Sequence, residues 1–351
     1  MNKKIFRVIA LLTFITLVVY KPVFSQDKQF QIGCIGFYNL ENLFDTINDP
    51  NINDEEFLPE GSYKWTGERY KKKLINMSEV ISQIGGEFVK GGPIIMGLTE
   101  VENINVVEDL INSPALKPMN YGIVHYDSPD KRGIDVALIY QKQYFTVTNS
   151  SAVKLTIAGR DNFFTRDQLV VSGIFDGEPL HIIVNHWPSR SGGEKRSAPL
   201  RNAAAKLCRS IVDSIMKIDI NSKIIVMGDL NDDPTNESLV KYFKAKGDFK
   251  KVGTGDMYNP MYKMFKKDGI GSLAYRDSWN LFDQIIVSSG LIGNDKSTYK
   301  FYKSFVFNKK FLTQSEGAYS GYPFRTYAGG VYAGGYSDHF PTYIFLVKEK
   351  K

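Results

Sequence analysis

Cysteine and histidine are both scarce: two Cys and four His in 351 residues. Two thiols exclude a disulfide scaffold and any Cys-rich zinc or iron–sulfur module. Glycine and proline are not in excess and no internal repeat recurs, which excludes a fibrous or solenoid chain. An apolar share of 43% is too high for a disordered chain. Beyond residue 20 no apolar run approaches the roughly 20 residues needed to span a bilayer. Charge of one sign is also lacking. The formal net charge is +6, but Lys3, Lys4, Arg7 and Lys21 supply four of those charges with no acid among residues 1–25. The remainder is nearly balanced, so global charge gives no support for a polyanionic partner.

What is present begins with an address. Lys3, Lys4 and Arg7 precede an apolar run from Val8 to Tyr20, and Val23 and Ser25 form a small-residue cleavage site before Gln26. Residues 1–25 therefore read as a signal peptide, too short for a comfortable membrane anchor, with export to the periplasm or medium expected. No membrane anchor is expected after cleavage. Export leaves open one Cys34–Cys208 disulfide, although both cysteines fall in apolar patterns where buried thiols are common.

Residues 26–351 show no linker or charge block that would divide them, so a single α/β domain with many central strands is expected. Strands are read at Ile32 to Tyr38, Ile94 to Leu98, Ile134 to Tyr140, Leu169 to Phe175, Leu180 to Val184, Ile224 to Met227, Phe282 to Val287 and Thr342 to Val347. Helical spacing is read at Tyr70 to Ile84, Val106 to Ile111, Arg196 to Met216 and Asn236 to Lys246. Tyr258 to Arg276 and Tyr319 to Tyr336 read as long loops.

Polar residues with chemical potential collect where the apolar strands end. Five clusters stand out: Phe37-Tyr38-Asn39-Leu40-Glu41-Asn42, Gly97-Leu98-Thr99-Glu100, Asn185-His186-Trp187-Pro188-Ser189-Arg190, Gly228-Asp229-Leu230-Asn231, and Ser337-Asp338-His339-Phe340-Pro341. Singly, each carboxylate has a bland reading as a turn former or cap. His125 and His181 read as members of hydrogen-bond networks, and Asn42 and Asn103 as caps or turn residues. Together, Glu100, Asp229, Asp283 and Asp338 would crowd negative charge and demand a hard cation, Mg²⁺, Mn²⁺ or Ca²⁺ rather than zinc. Imidazole and amide groups beside such a cation are suited to attack of water on a phosphate ester.

In this order and company the clusters resemble the endonuclease/exonuclease/phosphatase superfamily, which includes pancreatic-type deoxyribonuclease and abasic-site endonucleases. Gly-Asp-Leu-Asn at 228–231 and Ser-Asp-His-Phe-Pro at 337–341 carry most of the resemblance, which runs from about Ile32 to Leu346. It implies a four-layer α/β/β/α sandwich, two packed mixed sheets flanked by helices, with the active site at one sheet edge. It also implies residue roles. The metal side would be Asn39, whose amide helps hold the metal-bound phosphate, with Glu100 and Asp338. His186 would contact the phosphate, Asp229 and Asn231 would orient water, and Asp283 would support His339. Asp229 and His339 both stand as the general base. Glu41 is a candidate to approach the metal or a plain carboxylate, and Arg132, Arg166 and Arg190 are candidate phosphate contacts or surface charge.

The catalytic set defines the bond better than the substrate. Extracellular degradation of nucleic acid is the first expectation, since Asp232-Asp233-Pro234 replaces the signature that inositol phosphatases carry after the Gly-Asp-x-Asn element. A phosphatase or phosphodiesterase for small or lipid-derived esters is the alternative. A binding protein on an inactive scaffold is disfavoured by the complete residue set. Acidic Asp232 and Asp233 would weigh against tight duplex binding. No stable protein partner is implied.

Overall fold

The computed structural model describes residues 29–350; the signal-peptide reading falls on residues 1–25 and lies outside them. Two large sheets form from the eight expected strands and five that were not read from the sequence, Tyr121–His125, Phe145–Val153, Ala245–Lys246, Met257–Tyr258 and Lys300–Val306. The first is six-stranded, in the order Lys300–Val306, Thr342–Glu349, Phe30–Leu43, Ile95–Val101, Asp135–Gln141, Tyr121–His125. The second is seven-stranded, in the order Phe145–Val153, Gln168–Phe175, Glu178–His186, Ile224–Asp229, Asp283–Ser288, Met257–Tyr258, Ala245–Lys246. Each holds a central parallel pair, Phe30–Leu43 with Ile95–Val101 and Glu178–His186 with Ile224–Asp229.

Both faces of the central strands are apolar because both are covered. Ile35, Phe37, Ile95, Leu138, Ile182, Ile225, Met227 and Ile285 face the partner sheet and form the layer between sheets. Their neighbours Cys34, Tyr38, Met96 and Leu98 point the other way, onto helices Gly67–Gln83 and Ile104–Asn112. Ile183, Ile224, Val226 and Ile286 point onto helix Glu194–Ile218. The result is a four-layer α/β/β/α sandwich, as the resemblance implies. Cys34, on the strand Phe30–Leu43, and Cys208, on the helix Glu194–Ile218, are buried free thiols in separate helix–sheet cores on opposite sides of the paired sheets. Among the described residues no helix is long and apolar enough to cross a membrane.

Three expectations need correction. The helix read at Asn236 to Lys246 is a single π turn, Ser238–Tyr242, followed by Ala245–Lys246 as an edge strand. Lys244, in the left-handed region at φ 64, turns the chain between them. The supposed loop Tyr258 to Arg276 contains the helix Met261–Asp268, whose Met261 packs between the sheets, and one strand of the hairpin Leu273–Tyr275/Ser278–Asn280. Tyr319 to Tyr336 contains a small hairpin, Tyr327–Ala328 with Val331–Tyr332.

Candidate active site

Sheet register brings the candidate residues to one edge. His186 pairs across the parallel ladder with Asp229, and Asp229 pairs across the antiparallel ladder with Asp283. In the other sheet Asn39 pairs with Thr99, which places Glu100 just past it. Thr342 pairs with Phe37, so Asp338 and His339 arrive at the same edge. Gly228 permits this crowding. A Cβ there would overlap the carbonyl oxygen of Asn185 in the adjacent strand.

The strands leave the sheets through strained residues. Glu41, Asn42, Glu100 and Asn231 all adopt left-handed φ values between 50 and 60. Such conformations cost a non-glycine residue on the order of 1 kcal/mol each and persist where surrounding bonds enforce them. Those bonds are present. Glu41 N donates to Asn39 Oδ1 (2.9 Å), Asn42 N to Glu100 Oε2 (3.1 Å), and Asn231 N to Asp229 Oδ1 (3.0 Å). The ladder shifts register at the same places, between Asn39 and Leu43 and between Thr99 and Val101. The bulges re-aim side chains out of the sheet plane and into the site.

There Asn39 Nδ2 donates to Glu100 Oε1 (3.2 Å) and Asp229 Oδ2 (3.1 Å). His186 Nε2 lies 3.8 Å and 3.6 Å from the same two oxygens. His339 Nε2 is 4.0 Å from Asp229 Oδ2, and its Nδ1 is 2.7 Å from Asp283 Oδ2. Ser272 Oγ donates to the same Asp283 oxygen. Asp338 stands partly exposed, 3.9 Å from His339 Nε2, and is paired with Arg325 Nη2 at 2.8 Å.

Electrostatics follow from burial and proximity. Burial pushes the Asp229 carboxyl up to about 7; His339 opposes the shift, and Asp283 and Glu100 add to it. Burial would keep His339 neutral, but Asp283, Asp338 and Asp229 outweigh it and raise its pKa well above the ordinary value. Burial, with the Arg166 and Arg132 charges and His339, lowers that of His186 well below it.

A model of the endonuclease/exonuclease/phosphatase family matches residues 34–348. The chain belongs to this family. Solved structures of the same fold include D. rerio TDP2 complexed with a single-strand DNA product (13% identity, TM-score 0.53, 90% of this chain and 98% of that one). They also include two Bacteroides thetaiotaomicron proteins. One is a mannosyl-6-phosphatase (17%, 0.53, 90% and 99%) and the other an endonuclease/exonuclease/phosphatase family protein (18%, 0.53, 92% and 97%). Identities this low establish the fold alone. A search of curated proteins found no match.

Chemistry in this family depends on a divalent cation, and the residues present fit one. One donor atom each from Glu100, His186 and Asp229 lies within 4.8 Å of the others. Two carboxylates this close, one of them buried, are the donor set that a hard cation relieves. His186 Nδ1 is buried without a hydrogen-bond partner among the described residues. Asn39 turns its amide nitrogen, not its oxygen, towards the carboxylates, and Asp338 belongs to no such convergent group among the described residues.

The candidate arginines divide in this family member. Arg166 is buried, pairs with Asp130 (3.0 Å) and donates to the Trp187 carbonyl (2.7 Å). Arg132 is more than half exposed beside the same Asp130. Arg190 pairs with Asp232 and Asp233 (3.3 Å each), and buried Arg201 also pairs with Asp232 (2.7 Å). The repulsive acidic pair expected from the sequence is therefore neutralised in place.

Several contacts that the motifs do not announce tie the site together. Ser337 Oγ donates to Asn39 O (2.7 Å) and accepts from His339 N (3.1 Å), which joins the first and last clusters. The Trp187 carbonyl takes both Arg166 and Asn231 Nδ2 (3.0 Å). Glu41 is buried, and it accepts from Arg325 Nε (3.2 Å) and Thr326 N (2.7 Å). Lys73 reinforces that loop by donating to Thr326 Oγ1 and the Tyr336 carbonyl, both at 2.6 Å.

Proposed function

We propose that the protein is an exported, Mg²⁺-dependent nuclease, with Mn²⁺ or Ca²⁺ as alternative ions, that hydrolyses phosphodiester bonds of nucleic acid. The observation behind the polymer reading is a cleft of about 460 Å³ that reaches Asp338 and is lined by Tyr275, Arg276, Tyr319, Tyr322 and Arg325. Tyrosine faces stack on bases and guanidinium groups hold backbone phosphate, a pairing suited to unpaired strands.

In this reading Glu100 and Asp229 would hold the cation with help from His186 or Asp338. When bound, the cation would neutralise the phosphoryl oxygens and lower the pKa of water. Asn39 and Asn231 supply amide donors for the developing charge. Asp229 and His339, with Asp283 fixing the imidazole through Nδ1, form the pair that takes the proton from the attacking water. His186, neutral through burial, contributes a hydrogen bond to the phosphoryl group.

The test is hydrolysis by the purified protein of single-stranded DNA, duplex DNA, RNA, sugar phosphates and lipid phosphoesters, with Mg²⁺ or with chelator. Polymer cleavage that chelator abolishes is expected. Hydrolysis confined to small or lipid-derived esters would replace the nuclease with the phosphatase alternative, which the fold equally accommodates.

A further inference from the structure

Arg325 belongs to none of the five strand-end clusters, yet it lines two separate clefts. One is the 460 Å³ cleft described above. The other, of about 190 Å³, is walled by Phe57, Tyr63, Trp65 and Tyr327 and includes Asn42, whose backbone N–H is bonded to Glu100. The guanidinium is held on two nitrogens, Nε by Glu41 and Nη2 by Asp338. Nη1 has no hydrogen-bond partner among the described residues, and nearly half of the side chain (47%) is exposed. Glu41 is 93% buried and is itself bonded to the loop at Thr326 N, so the guanidinium rests on a built support rather than lying loose on the surface.

The aromatic groups on the two sides are arranged differently. In the smaller cleft Phe57, Tyr63 and Tyr327 form a continuous ring contact with centroids 5.1 and 4.7 Å apart, and buried Phe44 stacks behind Phe57 at 4.2 Å. In the larger cleft Tyr275 and Tyr319 are exposed, while Tyr322 ties the wall together through its hydroxyl, which donates to Asp277 (2.6 Å). The hairpin turn behind it places two non-glycine residues, Arg276 and Asp277, in the left-handed region at φ 49 and 61. A two-residue hairpin turn of this kind favours Asn or Gly, so the present residues are held there against preference and carry Arg276 to the cleft wall.

Resting on the phosphodiesterase reading above, we infer that Arg325 binds the substrate phosphate and that the two clefts meeting at it receive the groups on either side of that phosphate. A monoester has a substituent on one side only. Two aromatic-walled clefts that share one guanidinium match a diester between two planar groups, which is an unpaired dinucleotide step. Arg325 is a substrate-binding residue here and takes no part in proton transfer.

The experiment compares kcat and KM of the purified protein with Mg²⁺ on a dinucleoside monophosphate, on methyl 4-nitrophenyl phosphate and on a nucleoside monophosphate. Arg325→Gln should raise KM for the dinucleotide about tenfold or more with a smaller effect on kcat, and Arg325→Lys should recover only part of it. Tyr319→Ala and Tyr63→Ala should each lower the preference for the dinucleotide over methyl 4-nitrophenyl phosphate by about tenfold. Diester hydrolysis in which Arg325→Gln leaves KM unchanged, or in which the tyrosine variants leave the preference unchanged, would overturn this inference and leave the nuclease reading standing. Hydrolysis of the monophosphate alone would overturn both.

Discussion

Asp283, 2.7 Å from Nδ1 of His339, works with Asp338 against the burial that would keep that imidazole neutral. A histidine whose folded pKa is raised adds stability below its unfolded pKa, and that stability is lost as pH rises through the folded value. Asp283→Asn should therefore lower the pH at which His339 titrates, read by NMR of the imidazole. It should also cut kcat about a hundredfold or more with little change in KM, the scale of a lost acid–base partner. Asp130 gives the opposite sign. Burial disfavours its charge, but Arg166 and Arg132 outweigh that and hold its pKa below the ordinary carboxylate value. Its contribution is present above the unfolded pKa, near 4, and lost as pH falls through the folded one. Asp130→Asn leaves Arg166 buried without its charge partner and should cost about 3–5 kcal/mol at pH 7. In urea melts the gap from the unsubstituted protein should shrink below pH 4.

Strands and turns explain why some of this was legible in the sequence. The residues proposed for the metal side and for proton transfer sit in short motifs at strand ends, where a run of apolar residues gives way to Asn, Asp, Glu or His, and ladder register then aligns them. Ser272, the Trp187 carbonyl and the bond from Ser337 to the Asn39 carbonyl were not legible, because a serine hydroxyl or a backbone oxygen looks the same whatever it will meet. Arg325 was hidden in a Gly- and Tyr-rich segment that reads as loop. The helix Met261–Asp268 did leave a trace, with Pro260 before it, Met261, Met264 and Phe265 at helical spacing, and Gly269 in the left-handed position after it. The missing helix at 236–246 shows the reverse, since its apolar spacing is broken by a turn at Lys244 that only tertiary pairing dictates. Lys244 is exposed and far from glycine-like in preference, so Lys244→Gly should raise stability by about 1 kcal/mol in denaturant titration. Gly228→Ala should do the opposite. The added methyl meets the Asn185 carbonyl and should destabilise by about 1–3 kcal/mol while displacing Asp229.

At the scale of the molecule, two sheets packed face to face bring the ends of strands far apart in sequence to a single edge, and the acidic charge gathered there is what a cation would relieve. Binding of Mg²⁺ to the folded state alone should raise the thermal midpoint, by about 2.7 kcal/mol of stabilisation at a hundred times Kd. Glu100→Ala should lose most of that shift, which separates metal binding from turnover. Overall charge contributes little, because four of the +6 charges lie among residues 1–25. In the nuclease reading, recognition of a polyanion comes from local groups at the edge. The most direct measurement is cleavage of a single-stranded oligonucleotide by the purified protein, with Mg²⁺ and with chelator, beside the His339→Ala variant. Cleavage that requires Mg²⁺ and falls at least a hundredfold in His339→Ala is predicted; cleavage that persists in chelator or in the variant would contradict the site described here.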